Sequence, residues 1–179
     1  MTREQAIVLV TGIPAAGKST VAQLLAERLP RSVHLRGDVF RRMIVNGRAE
    51  MTPDPSEEAV RQLRLRYRLT AATADEYFAE GFTVVAQDVV LGDHLTELIS
   101  AIRGRPLLVV VLAPTADAVA AREAARAKNA YSRWTITVLD KGLRDGTPRV
   151  GLWLDTSDQS PEQTVDEILG RAWTEARVP

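Results

Sequence analysis

The fold of this chain follows from the sequence Gly12-Ile13-Pro14-Ala15-Ala16-Gly17-Lys18-Ser19. It has the pattern G-x-x-x-x-G-K-[ST] and stands between an apolar run, Ala6 to Val10, and a helix-like segment that begins at Thr20. The glycines let the backbone curl with its N–H groups pointing inward, and the following helix directs its positive dipole end to the same place. The sequence therefore predicts a polyphosphate-binding loop.

The residue types in this loop predict contacts with Mg·ATP. Lys18 would reach the β- and γ-phosphates, and the Ser19 hydroxyl would bind Mg²⁺. A tight turn between a strand and a helix is the alternative, but such a turn does not need a lysine and a serine at that spacing. The other residues that we expect to contact the nucleotide within the loop are Gly12, Ala15, Ala16, Gly17 and Thr20.

Composition narrows the class of protein. The chain has 179 residues and a mass of 19.7 kDa, which predicts a single domain over residues 1–179. Its formal net charge is zero, so no overall field favours nucleic acid or a membrane surface. It has no cysteine, which excludes disulfides and thiolate metal sites. Without an evident signal peptide or apolar run of membrane-spanning length, we expect a cytoplasmic protein.

Strand-like and helix-like segments alternate along the chain, which predicts a three-layer α/β fold with a parallel sheet. The most apolar segment, Leu107 to Leu112, is typical of a strand buried on both faces. Long helices are predicted from Ser56 to about Glu80 and after Ser160, where Gln163 completes a capping box. Shorter helices are expected at Ala116 to Ala127 and Tyr131 to Leu143. Ligands of such sheets bind at the carboxyl ends of the strands.

The ordered series of motifs resembles the small P-loop kinases. It comprises the Walker A loop, Gly37-Asp38-x-x-Arg41, an acidic residue after the third strand, an arginine-rich helix and Asp155-Thr156-Ser157. The chain is most similar to the chloramphenicol phosphotransferase-like group, with AAA-type zeta-toxin, shikimate, gluconate and nucleoside monophosphate kinases as relatives. The resemblance implies a five-stranded sheet of order 2-3-1-4-5 and transfer of the γ-phosphoryl group of ATP to a small molecule. It also implies an acceptor-binding segment at about 36–80 and a lid at about 122–134.

Asp38 and Arg41 are the candidate acceptor-binding residues after the second strand. A carboxylate there can position an acceptor hydroxyl and take its proton, so Asp38 is also a catalytic candidate. The alternative is that Asp38 caps the helix that follows. Arg41 resembles the arginine with which adenylate kinases grip an acceptor phosphate. The sequence thus leaves an alcohol acceptor and a phosphate acceptor both open.

Asp88 ends the third strand and is a candidate for two roles. It can hold a Mg²⁺-bound water or orient the acceptor, and the plain alternative is a turn residue at the strand end. In the small P-loop kinases that the chain resembles, the loop corresponding to the one that contains Thr156 passes close to the adenine base. The resemblance therefore implies that Thr156 is a nucleotide-binding candidate. A turn role for this loop fits equally well.

The predicted lid is rich in arginine. Arg122 and Arg126 lie four residues apart, with Lys128 and Arg133 beyond, and related kinases use lid arginines to neutralise charge on the transferring phosphoryl group. Arg122 and Arg126 are therefore the catalytic candidates, and charge pairing through Glu123 is the alternative.

A second arginine group stands at 61, 64 and 68 in the long helix. We interpret it as a solvated or substrate-facing stripe rather than a nucleic-acid footprint, since the chain is neutral and acidic residues precede it. The predicted function is transfer of the γ-phosphoryl group of Mg·ATP to a hydroxyl of a small molecule, including the possibility of an antibiotic. The alternatives are a nucleoside monophosphate kinase and an ATP-binding switch without an acceptor.

Overall fold

The computed structural model describes residues 3–126, residue 131 and residues 134–179. The strands are β1 (Ile7–Thr11), β2 (Ser32–Arg36), β3 (Thr83–Gln87), β4 (Leu107–Leu112) and β5 (Leu152–Leu154). They form a parallel sheet of order β2-β3-β1-β4-β5, which confirms the predicted fold class and strand order. The sequence did not indicate β6 (Arg177–Val178), which pairs with β4 in the antiparallel direction.

Helices cover both faces of this sheet. They are α1 (Lys18–Glu27), α2 (Asp38–Arg42), α3 (Glu57–Ala79), α4 (Asp93–Ala101), α5 (Ala116–Ala124), α6 (Ile136–Gly146) and α7 (Pro161–Glu175). Alternate residues of β1 enter different apolar clusters, Val8 packing with the α1 and α7 side and Leu9 with the α3 and α4 side. Every residue of β1, β3 and β4 is buried, because each of these strands has helices on both sides.

Local capping explains where the long helices begin. The Ser56 hydroxyl accepts a hydrogen bond from the Ala59 N–H at the start of α3. Ser160 and Gln163 form the predicted capping box at the start of α7. Both helix starts therefore agree with the sequence prediction.

The helices after β4 differ from the prediction. α5 ends at Ala124 rather than Ala127. α6 begins at Ile136 rather than Tyr131, because the Thr135 hydroxyl accepts a hydrogen bond from the Val138 N–H and so caps the helix there. The predicted lid at 122–134 lies partly outside the described residues, as do Lys128 and Arg133. No helix in the described part of the chain combines the length and apolar character needed to cross a membrane.

Candidate active site

A cleft of about 550 Å³ lies at the carboxyl ends of the strands. We call it the phosphate cleft. Its floor is the loop from Pro14 to Val21, and its walls include charged side chains from several parts of the chain, namely Asp38, Arg66, Asp88, Arg122 and Arg126. The parallel sheet thus brings the strand-end residues Asp38 and Asp88 to the loop, as the sequence predicted.

The backbone of the loop is shaped to hold an anion. Gly12 has φ 149°, and a Cβ atom at this position would lie 2.5 Å from the Leu112 carbonyl oxygen. Ala15 has φ 62°, a left-handed conformation that is rare for an alanine and typical of functional loops. Gly17, with φ 96°, precedes α1, which has no side-chain cap and no acidic residue in its first turn. The loop and the helix start therefore fit a polyphosphate.

Lys18 is buried at the centre of this loop. Its side chain is withdrawn from solvent, with only 8% of the residue exposed, and its Nζ donates a hydrogen bond to the Ile13 carbonyl at 2.9 Å. Burial, and next the positive charges of Arg126 and Arg66, lower the pKa of Lys18 to about 7. An anion beside Nζ would reverse this shift. Ser19 follows as an exposed residue that lines the phosphate cleft, which fits the predicted Mg²⁺ ligand.

Asp38 is the first residue of α2 and faces the phosphate cleft. Its carboxylate does not cap the helix. It accepts a hydrogen bond from Arg42 at 2.8 Å, and 43% of its side chain remains exposed. The negative charge of Asp38 is close enough to act on the pKa of Lys18. An accessible carboxylate therefore stands opposite the phosphate-binding lysine.

Asp88 has a different environment from Asp38. Its side chain is 1% exposed, and its two oxygens accept hydrogen bonds from the Arg66 guanidinium, one of them at 2.7 Å. The Val89 N–H also donates to Asp88. Because Arg66 already occupies the carboxylate, any contact of Asp88 with a Mg²⁺-bound water would compete with this ion pair. That predicted contact stays a prediction.

Gly37 makes the position of Asp88 possible. A Cβ atom on Gly37 would lie 2.1 Å from Asp88 Oδ2 and 3.1 Å from Thr70 Oγ1. Its N–H donates to the Gln87 carbonyl at 3.0 Å, so this segment is also fixed to β3. The close approach explains a glycine immediately before Asp38.

The two arginines of the predicted lid both line the phosphate cleft. Arg122 donates to the Ala16 carbonyl at 3.3 Å and to the Thr156 carbonyl. Arg126 lies 3.5 Å from Glu123, so the charge pairing named as the alternative is also present. The two arginines are thus held over the loop before any nucleotide contact is made.

Tyr131 bonds to the loop, and Thr156 lines the cleft. The Tyr131 hydroxyl donates to the Pro14 carbonyl at 2.6 Å, and burial of its ring raises the pKa of Tyr131 well above its ordinary range. Thr156 is 2% exposed and lines the cleft, and its hydroxyl has no hydrogen-bond partner among the described residues. An available buried hydroxyl fits the predicted nucleotide contact.

Arg41 lies outside the phosphate cleft. It forms an ion pair with Glu50 and lines a second cavity of about 700 Å³. We call this second space the apolar cavity, since side chains such as Phe40, Met43 and Trp134 line it. The structure therefore separates Asp38 from Arg41, although the sequence places both in the acceptor segment.

Sequence reasoning missed Arg66 and Gly37 as site residues. It considered the arginines at 61, 64 and 68, which are exposed, whereas Arg66 turns inward to Asp88. Arg61 pairs with Glu58 and Arg64 pairs with Glu97, as expected for solvated side chains. The signal that could have found Arg66 was the need of a buried Asp88 for a positive partner.

Comparisons with protein families and known proteins identify relatives of this chain. The model of a P-loop family described as an AAA domain matches residues 7–148. A Thermococcus onnurineus (strain NA1) protein named "Putative adenylate kinase" is 31% identical over 171 residues, covering 91% of this chain and 82% of that protein. A UPF0200 protein of Aeropyrum pernix is 47% identical over 58 residues, which cover 32% of this chain and 31% of that protein.

The fold is also that of a solved kinase structure. The unliganded sugar kinase from Janibacter sp. HTCC2649 superposes with a TM-score of 0.71 at 18% identity, covering 93% of this chain and 94% of that one. Proteins of this type use ATP, typically with Mg²⁺. Because the family model spans most of the chain and the phosphate cleft carries the expected loop, the chain belongs to the P-loop kinase family described as AAA domain.

Proposed function

We propose that this protein transfers the γ-phosphoryl group of Mg·ATP to a hydroxyl group of a small molecule. The observation that carries the proposal is the presence of an accessible carboxylate, Asp38, in the same cleft as Lys18 and the phosphate-binding loop. A switch that only binds or hydrolyses ATP has no acceptor to position. An enzyme that phosphorylates an alcohol needs such a group beside the γ-phosphate.

The proposal assigns a role to each candidate residue of the phosphate cleft. Asp38 orients the acceptor hydroxyl and takes its proton as the oxygen bonds to the γ-phosphorus, while the bond to the β-phosphate oxygen breaks and ADP leaves. Lys18, Arg122 and Arg126 offset the negative charge that spreads over the phosphoryl oxygens. The Ser19 hydroxyl would hold Mg²⁺, which would supply positive charge to the phosphates. Thr156 contacts the nucleotide at the adenine end of the cleft.

Arg66 has a positioning role in this proposal. It lines both the phosphate cleft and the apolar cavity, and its ion pair with Asp88 fixes its guanidinium between them. Asp88 then contributes by holding Arg66 at this junction. Because the hydrogen bonds of the guanidinium go to Asp88, Arg66 acts through its positive charge rather than by bonding to the acceptor.

A nucleoside monophosphate kinase is the second candidate. The relative named as an adenylate kinase favours it, because that name implies a phosphate as acceptor. Such an acceptor requires arginines free to bind its phosphate. Arg41 is the predicted residue, and here it is bound to Glu50, whose ion pair would have to open first. An alcohol, including a hydroxylated antibiotic, fits the site better, because Asp38 lines the phosphate cleft whereas Arg41 does not.

The test is a product screen followed by one substitution. Mass spectrometry of reactions with Mg·ATP and a panel of hydroxylated antibiotics, nucleosides, sugars and nucleoside monophosphates should find a phosphate added to a hydroxyl. Asp38→Asn keeps the size of the side chain but removes its basicity, so kcat should fall about 100-fold or more while the KM for ATP changes little.

The control for this substitution is Asp93→Asn, because Asp93 is an exposed first-turn residue of α4. It should leave kcat within about twofold. A diphosphate product from AMP, lost on Arg41→Ala, would instead establish the second candidate. An Asp38→Asn enzyme with unchanged kcat at saturating acceptor would contradict the role of Asp38.

A further inference from the structure

The apolar cavity adjoins the phosphate cleft and is large enough for a drug-sized molecule. Its volume is about 700 Å³, within the range of about 300–1,000 Å³ typical of small-molecule pockets. Both spaces are lined by Pro14, Arg66 and Val89. A molecule in the apolar cavity can therefore extend one end into the phosphate cleft at this junction.

The polar side chains around this cavity are already bonded to protein groups. Arg41 pairs with Glu50, and His94 bonds to Glu97 at 3.2 Å. Arg66 pairs with Asp88. The Tyr67 hydroxyl donates a hydrogen bond to the Val89 carbonyl. The side-chain amide of Gln62 donates to the Gly47 carbonyl and accepts from the Ala49 N–H. These groups offer little to a polar ligand, which would have to break bonds in order to bind.

Apolar side chains, in contrast, are left open to solvent at this cavity. Met43 is 68% exposed, Leu65 is 39% exposed and Leu69 is 38% exposed, and all three line it. Exposed large apolar side chains gathered around one concave space indicate a binding site for an apolar surface. Trp134 also lines the cavity and adds an aromatic surface.

The helix α2 contributes residues to both the apolar cavity and the phosphate cleft. Its first residue, Asp38, lines the phosphate cleft, and its residues Phe40 and Arg41 line the apolar cavity. A ligand whose apolar body contacts Phe40 can therefore present a hydroxyl group to Asp38.

From this arrangement we propose that the acceptor is an alcohol with a bulky apolar body, bound in the apolar cavity with its hydroxyl group directed to Asp38. The inference rests on the proposed phosphoryl transfer. The proposed acceptors are therefore hydroxylated amphipathic molecules rather than sugar acids or nucleotides. The charged groups of a sugar acid or a nucleotide would have to displace existing bonds of the described cavity residues.

Two glycosides with the same hydroxyl groups test the selection. Octyl β-D-glucoside carries an apolar tail, and methyl β-D-glucoside does not. Binding is measured by isothermal titration calorimetry in the presence of a non-hydrolysable ATP analogue, below the micelle-forming concentration of the octyl compound. We expect the octyl glucoside to bind at least tenfold more tightly, and also more tightly than AMP.

A pair of substitutions tests the location. Met43→Glu places a charge in the cavity wall, whereas Val45→Glu places the same charge on a residue that is 88% exposed and outside the cavity lining. Met43→Glu should weaken octyl glucoside binding at least fivefold, with nucleotide affinity within twofold of the parent protein. Val45→Glu should change neither affinity, which also shows that the added charge does not prevent folding.

The outcomes separate the two proposals. Equal affinity for the two glucosides, or octyl binding that Met43→Glu leaves unchanged, overturns the apolar acceptor site. Tighter octyl binding that depends on Met43, together with octyl glucoside phosphate detected by mass spectrometry, supports both proposals. The same binding pattern with no phosphorylated alcohol from any member of the panel supports the apolar site and overturns the proposed phosphoryl transfer.

Discussion

The phosphate cleft and the apolar cavity meet at Arg66 but are built in opposite ways. The cleft has as its floor one continuous segment, Pro14 to Val21, whose backbone conformation provides the anion site. The cavity is assembled from residues far apart in sequence, from Phe40 on α2 to Leu139 on α6. The comparison teaches that the phosphate cleft is encoded largely by local sequence, whereas the apolar cavity, the proposed acceptor site, depends on how distant segments pack.

Removing the Lys18 side chain should give the largest loss of activity. It should impair the phosphate cleft and leave the apolar cavity unchanged. Lys18→Ala deletes the cation at the centre of the loop, so phosphoryl transfer should fall about 1,000-fold. Binding of octyl glucoside in the absence of nucleotide should stay within twofold, because Lys18 does not line the apolar cavity. Steady-state kinetics and calorimetry measure the two effects.

Lys141 provides the control for that experiment, because it is an exposed residue of α6. Lys141→Ala should retain nearly full activity. If Lys18→Ala lowered the rate by only a fewfold, the assignment of the phosphate-binding loop would be wrong.

Breaking the ion pair at the junction should be the next largest effect. Asp88→Ala leaves the largely buried Arg66 guanidinium without its partner and should lower the free energy of unfolding by about 3 kcal/mol. Urea denaturation of Asp88→Ala, Arg66→Met and the double variant measures this effect and the coupling between the two residues. The double variant should be less destabilised than the sum of the single changes.

An exposed ion pair between α3 and α4 is the matched control, because its arginine lies on the same helix as Arg66. Arg64 and Glu97 are 51% and 41% exposed in their side chains, so Arg64→Ala should change the free energy of unfolding far less than Asp88→Ala does. Equal losses from Arg64→Ala and Asp88→Ala would show that burial does not strengthen the junction pair.

Gly37→Ala should have a smaller effect through the same junction. The new methyl group would meet Asp88 Oδ2 at 2.1 Å, which forces Asp88 or α2 to move. We expect a loss of about 1–3 kcal/mol in the free energy of unfolding, with lower turnover because Asp38 is the next residue. Denaturation and kinetics on one preparation measure both.

Gly170→Ala is the control for the glycine substitution. Gly170 lies within α7, and a Cβ atom there would meet nothing within 4 Å. Its replacement should stabilise the protein by about 0.5–1 kcal/mol, because alanine favours a helix. A Gly37→Ala protein as stable as the parent would contradict the close packing of Gly37 on Asp88.

The local character of the phosphate cleft explains what could be predicted. The spacing of Gly12, Gly17 and Lys18 carries its own geometry, and the apolar run of β4 indicates its burial without reference to any other segment. The strand order and the positions of Asp38 and Asp88 followed from the family resemblance and the rule that strand ends share one edge. These features needed no knowledge of long-range side-chain packing.

Most of the features that were missed depend on long-range contacts. Arg66 and Asp88 are 22 residues apart, and no local pattern distinguishes Arg66 from the exposed arginines on the same helix. The strand β6 has only two residues, which is too short for a periodic pattern. The apolar cavity combines Met43 with Trp134, whose proximity no periodicity indicates. The start of α6 was predicted at Tyr131 rather than Ile136 for a local reason, because the capping role of Thr135 was overlooked.

The smallest predicted effect is a proton taken up when nucleotide binds the phosphate cleft. Burial holds the pKa of Lys18 near 7, so at pH 8 most molecules carry a neutral Lys18. The phosphates of ATP favour the charged form and raise this pKa, so binding at pH 8 should take up close to one proton, and less at pH 6, where Lys18 is already charged. Calorimetry at each pH in two non-phosphate buffers of different ionisation enthalpy measures the uptake.

Lys18→Arg is the control for proton uptake, because its guanidinium stays charged at both pH values and should remove the difference between buffers. Octyl glucoside binding should show no such difference between the two proteins, since Lys18 does not line the apolar cavity. A buffer dependence that persists in Lys18→Arg would assign the proton to another group of the phosphate cleft. If nucleotide binding takes up a proton and octyl glucoside binding does not, the titrating group lies in the phosphate cleft.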